Sequence, residues 1–148
     1  MEVWQDEETG LYWQVVAPAI LFDELTIKEA NERVEAFNNQ RYGGFDDWRM
    51  PTVGELLSLA PIKLFDYRAG TTPREEYARW REWVDENESE RRLGYFIKEE
   101  LAGNMGPEGW YWSGEIAENG EYWLVNFKDG NTNTNVPTQS YYVRLVRG

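Results

Sequence analysis

The sequence predicts an α+β domain, with helices first and an antiparallel sheet after them. Three observations predict it. Apolar residues recur at helical spacing behind start signals at Thr26, Thr52 and Thr72. From Trp110 the apolar period changes to two. Inside that alternating region stands Asp129-Gly130, a strong hairpin-turn dipeptide. A chain of 148 residues fits one domain, and a domain of this size buries about 70% of its unfolded surface.

The elements follow in order. "WQDEETGLYWQ" (4–14) reads as a short hairpin, two aromatic-rich arms around a turn at Thr9-Gly10. In "TIKEANERVEAFNNQ" (26–40), Thr26 and Glu29 have the spacing of a capping box, and Ile27, Ala30, Val34 and Phe37 share one helical face. Lys28 with Glu32 and Glu29 with Arg33 are spaced as outward i,i+4 pairs. The helix is expected to stop near Gly43-Gly44.

"GGFDDWRMPTVGELLSL" (43–59) reads as frame rather than site. Its Gly pair turns the chain, Trp48 is a ring to bury, and Arg49 is expected to pair with Asp46 or Asp47. Pro51 biases Met50 to an extended conformation. Thr52 and Glu55 make a second capping box, with Leu56, Leu57 and Leu59 inside. A third helix is expected over 72–92, with Thr72 as N-cap, Pro73 at N1 and Glu75 at N3. Its apolar stripe is Tyr77, Trp80 and Val84, with Trp83 beside them. In "EYWLVNF" (121–127), Trp123, Val125 and Phe127 face one way, and Tyr122, Leu124 and Asn126 the other. "NTNTNV" continues as a polar strand or extended loop, and "SYYVRLVRG" reads as a final strand.

Absences narrow the chemistry. The chain has no Cys and no His, which removes thiol nucleophiles, thiolate metal sites and the usual general base near neutral pH. Asp46 and Asp47 do not make an acid–base pair, since neighbours on an extended chain point to opposite faces. The sequence therefore predicts a non-catalytic protein without cofactor. No apolar run approaches the ~20 residues of a spanning helix. "MEVWQDEETG" has neither a basic start nor an apolar segment, so no signal peptide is expected, and with no Cys the expected compartment is cytoplasmic rather than extracellular. The net charge is −12, with nine acids against two bases in the first 40 residues. That disfavours direct nucleic-acid binding, which wants a basic stripe, and suits a basic protein partner.

Five stretches in order carry a family resemblance: "TGLYWQ" (9–14), "GGFDDWRMPTVGEL" (43–56), "YWSGE" (111–115), "WLVNFKDGN" (123–131) and "YYVRLVRG" (141–148). Together they resemble the Lcl C-terminal domain family, and they span nearly the whole chain. The resemblance implies one domain over 1–148 with a C-type-lectin-like fold: an N-terminal hairpin, two to three helices and a C-terminal antiparallel sheet. Against that pattern, the helix at 72–92 looks like an insertion. Phe37 and Leu145 stand where the family often has Cys. If those cysteines are paired in relatives, the resemblance implies that the two side chains meet here.

A calcium site is not expected. Asp129, Asn131 and Asn133 match the first ligands of an EF-hand loop, but Thr134 replaces its Gly and Ser140 its final Glu. Tyr, Asn and Gln side chains suit adaptable recognition instead. Tyr122, Asn131, Asn133, Asn135, Gln139, Tyr142 and Arg144 are expected to share one surface that binds a protein or a glycan. The alternative is a small acidic intracellular inhibitor, of the kind phages use against host defence, covering a basic nucleic-acid-binding surface of its partner. Self-association through 72–92 is a third alternative, because Trp80 and Trp83 cannot both lie centrally on one narrow face.

Overall fold

The computed structural model describes residues 2–67 and 70–148. It is α+β, as the periodicities predict, with two antiparallel three-stranded sheets. The first joins β1 (Val3–Gln5), β2 (Tyr12–Gln14) and β6 (Val146–Arg147), with β2 in the centre. The second joins β3 (Trp110–Ile116), β4 (Tyr122–Asn126) and β5 (Thr132–Asn135), with β5 at an edge. Between them run α1 (Ile27–Asn39), α2 (Val53–Leu57), α3 (Pro73–Glu86) and α4 (Glu99–Ala102). The last, a single turn, is too short for periodicity to reveal.

Local chemistry starts the helices where expected. The Thr26 hydroxyl accepts the Glu29 N–H at 3.2 Å, and the Glu29 carboxylate accepts the Thr26 N–H at 3.0 Å. Thr52 and Glu55 make the same reciprocal pair. Thr72 accepts the Glu75 N–H, with Pro73 in the first turn. Each cap is worth about 1 kcal/mol. The third helix ends earlier than expected, at Glu86. Asn87 leaves helical geometry at φ −134°, and its side chain donates to the Trp83 carbonyl at 2.9 Å. A short amide side chain competes there with the backbone ladder.

The β4 alternation divides the interior. Val125 and Phe127, with Trp123 packed beside them, join a core that includes α2, Trp80, Trp83, Val84 and Trp13. Leu124, with Tyr122 beside it, joins a second core with α1, Trp48 and Trp112. The second sheet is thus covered on both faces, one by α1 and the other by α2 and α3. Phe37 and Leu145 both lie in the second core. Trp80 is 0% and Trp83 9% exposed. The tryptophan pair that suggested self-association as a third alternative is therefore buried within the chain.

Residues 43–59 do serve as frame. Gly43 turns the chain at φ 64°. Trp48 is buried, and its indole N–H donates to the Tyr42 carbonyl at 2.8 Å. Asn38, near the end of α1, bonds both the Trp48 N–H and its carbonyl. Arg49 differs from expectation. It pairs with Glu55, while Asp46 takes Arg41 and Asp47 takes Arg147. The acids beside Arg49 in sequence point outward, and the α2 carboxylate lies inward within reach. Arg33 likewise turns to Asp23, at 3.7 Å, in place of its expected Glu29 partner.

The final segment is not one strand. Tyr141 and Tyr142 make isolated bridges to Leu25 and Tyr111, and only Val146–Arg147 forms a strand. Tyr142 exchanges backbone hydrogen bonds with Trp110 and Trp112 of the second sheet, and Leu145 accepts from Gln14 of the first. This stretch is a seam between the two sheets.

Candidate functional site

The expected recognition residues fall into two sets. Tyr142 and Arg144 are 3% and 1% exposed and belong to the interior. Tyr142 donates its hydroxyl proton to Glu108. Arg144 donates to the Gln14 carbonyl at 2.7 Å and to both the side-chain and backbone oxygens of Asn104. Burial pulls its guanidinium below its ordinary pKa. Reading the seam as a strand with one solvated face put these two outside, but both sides of the seam are covered.

The other five reach the surface around β5. Asn131, Asn133 and Gln139 are exposed, and Tyr122 and Asn135 half-buried. They do not form one continuous face. Asn131 accepts from Arg81 at 3.1 Å. Asn133 and Asn135 pair with Leu124 and Tyr122 across the sheet, on its α1 side. Their amide oxygens are turned to the strand's own backbone: Asn133 accepts the Thr134 N–H and Asn135 the Val136 N–H, at 2.9 and 2.8 Å. In an antiparallel edge strand every second N–H points away from the sheet. These two are such groups, and the preceding Asn caps each. Gln139 lies in a turn closed by its N–H to the Val136 carbonyl.

The opposite face of the same hairpin forms a groove of about 340 Å³ with the N-terminal half of α3. Tyr77 and Arg74 line the helix side, Trp123, Thr132 and Thr134 the sheet side, and Ala117 to Asn119 close one end. Asn133 reaches its rim. The two rings are half-buried, and Arg74 and Glu118 are exposed. Thr134 donates to Glu121 at 2.7 Å. The Thr132 hydroxyl is buried and has no hydrogen-bond partner among the described residues. Leaving such a group unpaired costs about 1–3 kcal/mol, so it marks a place where a bond is wanted.

The groove walls are pinned one helical turn further along. Arg81 donates to the Asp129 carbonyl at 3.0 Å, to Asn131 and to Asp85. Gly130, at φ 78°, sits where a Cβ would run into Val84, so the hairpin turn can press closely on α3. On the inner side of α3, Glu76 lies 4% exposed against Gly54. Burial raises its carboxyl to about 7, aided by Glu115 and Glu75 and opposed by a bond from the Thr71 hydroxyl at 3.0 Å.

Chemically, the groove offers two aromatic faces, one guanidinium, amides and hydroxyls. That is stacking and hydrogen-bonding equipment. Among the described residues no group of three or more acids could hold a metal ion. No described helix is long and apolar enough to cross a membrane. Sequence reasoning missed Tyr77, Arg74 and Thr132 as site residues and read Trp123 only as one face of a strand. A ring on an amphipathic stripe carries no mark of being the last before solvent. A family model described as the Lcl C-terminal domain matches residues 2–147. No curated protein matches the chain.

Proposed function

Because the chain belongs to the Lcl C-terminal domain family, which suggests a binding or recognition module, we propose that it is a non-catalytic recognition domain. Its groove between α3 and the β4–β5 hairpin takes a protein segment, and a glycan is the second ligand class to test. The unpartnered Thr132 hydroxyl, on the sheet wall with Trp123 and facing the Tyr77 side of the groove, carries this reading. A ligand that stacks on the rings gains apolar burial, and one that parts them to reach the enclosed hydroxyl also satisfies a polar group.

The test is peptide display and a glycan array on the wild-type protein, followed by affinities of Trp123→Ala and Tyr77→Ala. Central aromatic anchors cost at least ~2 kcal/mol when truncated, roughly thirtyfold in affinity. Selected ligands indifferent to both rings would overturn the groove as the site. The acidity of the first 40 residues favours a second reading, the acidic inhibitor of a basic partner. Binding that collapses with added salt yet ignores Trp123 supports that one.

A further inference from the structure

The α1 side of the second sheet carries a separate cleft. Two hollows, of about 750 and 280 Å³, adjoin there and share Ile27 and Asn31 in their walls. Pro137 closes the larger; Val34, Met50 and Tyr122 line the smaller. Apolar surface continues beyond them. Ile116 pairs directly with Tyr122 on the same face and is 62% exposed, and Val136, next to Pro137, is 39% exposed.

The charges around this cleft are unequal. Glu32 and Glu35 line the larger hollow and Glu115 the smaller. Of the two lining cations, Arg49 is held by Glu55 in a two-pronged pair. Glu115 accepts the Val53 N–H at 2.8 Å, which leaves Lys28 against the two exposed carboxylates of Glu32 and Glu35. Arg33, on the same helix, is turned to Asp23.

We propose that this cleft docks a basic amphipathic segment of a partner protein. Its apolar side chains enter the hollows over Ile27, Val34, Met50 and Tyr122, and its lysine or arginine side chains lie over Glu32 and Glu35. An apolar floor with acids on its rim selects for that combination. A purely apolar segment leaves the carboxylates unpaired, and a purely basic one leaves the floor wet. The surface lies across the sheet from the α3 groove, so it does not rest on the function proposed for that groove.

Three synthetic peptides of about 18 residues, roughly five helical turns, test it by amide NMR titration of the full chain. One is an amphipathic Leu/Lys peptide, one the same pattern in Leu/Glu, and one Ser/Lys with equal charge. The expected result is saturable shifts with Leu/Lys alone, mapping to 26–35, 116, 122, 136 and 138. The double variant Glu32→Lys/Glu35→Lys changes two exposed side chains and is expected to weaken binding at least about tenfold, ~1.4 kcal/mol. Trp123→Ala is expected to leave it within about twofold. Equal binding of Ser/Lys, shifts confined to the α3 groove, an unaffected charge variant, or no saturable shift with any peptide would each overturn the proposal.

Discussion

One carboxylate oxygen of Glu55 accepts both the Thr52 N–H, at 2.9 Å, and Arg49 Nη1, at 2.6 Å, while its other oxygen takes Arg49 Nη2 at 2.7 Å. A single side chain thus caps α2 and holds the arginine that in turn reaches the Gly148 carbonyl at 3.2 Å. The Glu55 side chain is 6% exposed and that of Arg49 39%. Glu55→Ala is expected to cost about 2–4 kcal/mol, the sum of a lost cap and a half-buried charge left alone. Glu55→Gln keeps the cap and is expected to cost roughly half as much. Urea denaturation of the two variants checks both.

Glu76 makes stability depend on pH in the unusual direction for a carboxylate. Its folded pKa of about 7 lies above the ordinary 4.5, so the folded state holds a proton that the unfolded state has released. Stability from this group is complete below the ordinary value and is lost as pH rises through about 7. Between pH ~5 and ~8 the loss is expected to be about 1–2 kcal/mol after allowance for solvent screening. Glu76→Gln is expected to remove most of that slope and to be the more stable protein at pH ~8. Melts of both proteins across that range measure it.

Thr132→Val separates binding from folding. It replaces an unpaired buried hydroxyl with a methyl of similar shape, so stability is expected to hold or rise by up to about 1 kcal/mol. Affinity for a groove ligand is expected to fall several-fold. Calorimetric binding and thermal melting on the same sample check the two halves. A loss of both together would mean that the hydroxyl is structural.

The Asn side chains of β5 guard an open edge. Removing both caps, in Asn133→Val/Asn135→Val, frees two backbone donors on a flat strand of β-favouring residues. Such edges pair with other chains. Concentration-dependent self-association in light scattering is expected, with the thermal midpoint lowered slightly by loss of the 2.7 Å bond that Asn135 donates to the Tyr141 hydroxyl. A strictly monomeric variant would show that the capping bonds do not limit pairing.

Arg144 is expected to tolerate nothing smaller. Its planar fork meets three oxygens on two segments, Gln14 and Asn104. A lysine cannot reproduce that fork. Both Arg144→Lys and Arg144→Ala are expected to cost about 3 kcal/mol or more, read as lost soluble yield and a lowered denaturation midpoint.

The legible features were local ones. Thr26, Thr52 and Thr72 cap helices through bonds that span three residues, so the chemistry lies within one quoted string. The two faces of β4 were legible because pleating alone assigns Leu124 and Val125 to opposite sides. Tyr142 and Arg144 were not. Whether an extended residue meets solvent depends on a third layer, and here Asn104 and Gln14 supply it from far along the chain. The groove was illegible for the same reason: Tyr77 and Trp123 become two walls only once α3 has docked. Arg49 shows the limit at short range, since its nearest acids in sequence were the wrong ones.

The place of β6 beside β2 joins strands from opposite ends of the fold in one sheet. Their ladder matches Tyr12 with Arg147 and Trp13 with Val146, closing a loop of nearly the whole chain. Loop-closure entropy must be met before such a contact returns anything. Until β6 docks, β2 is paired in this sheet only to β1. Trp13, on β2, is buried in the finished core, so this late-closing ladder seats a core ring as well as a strand.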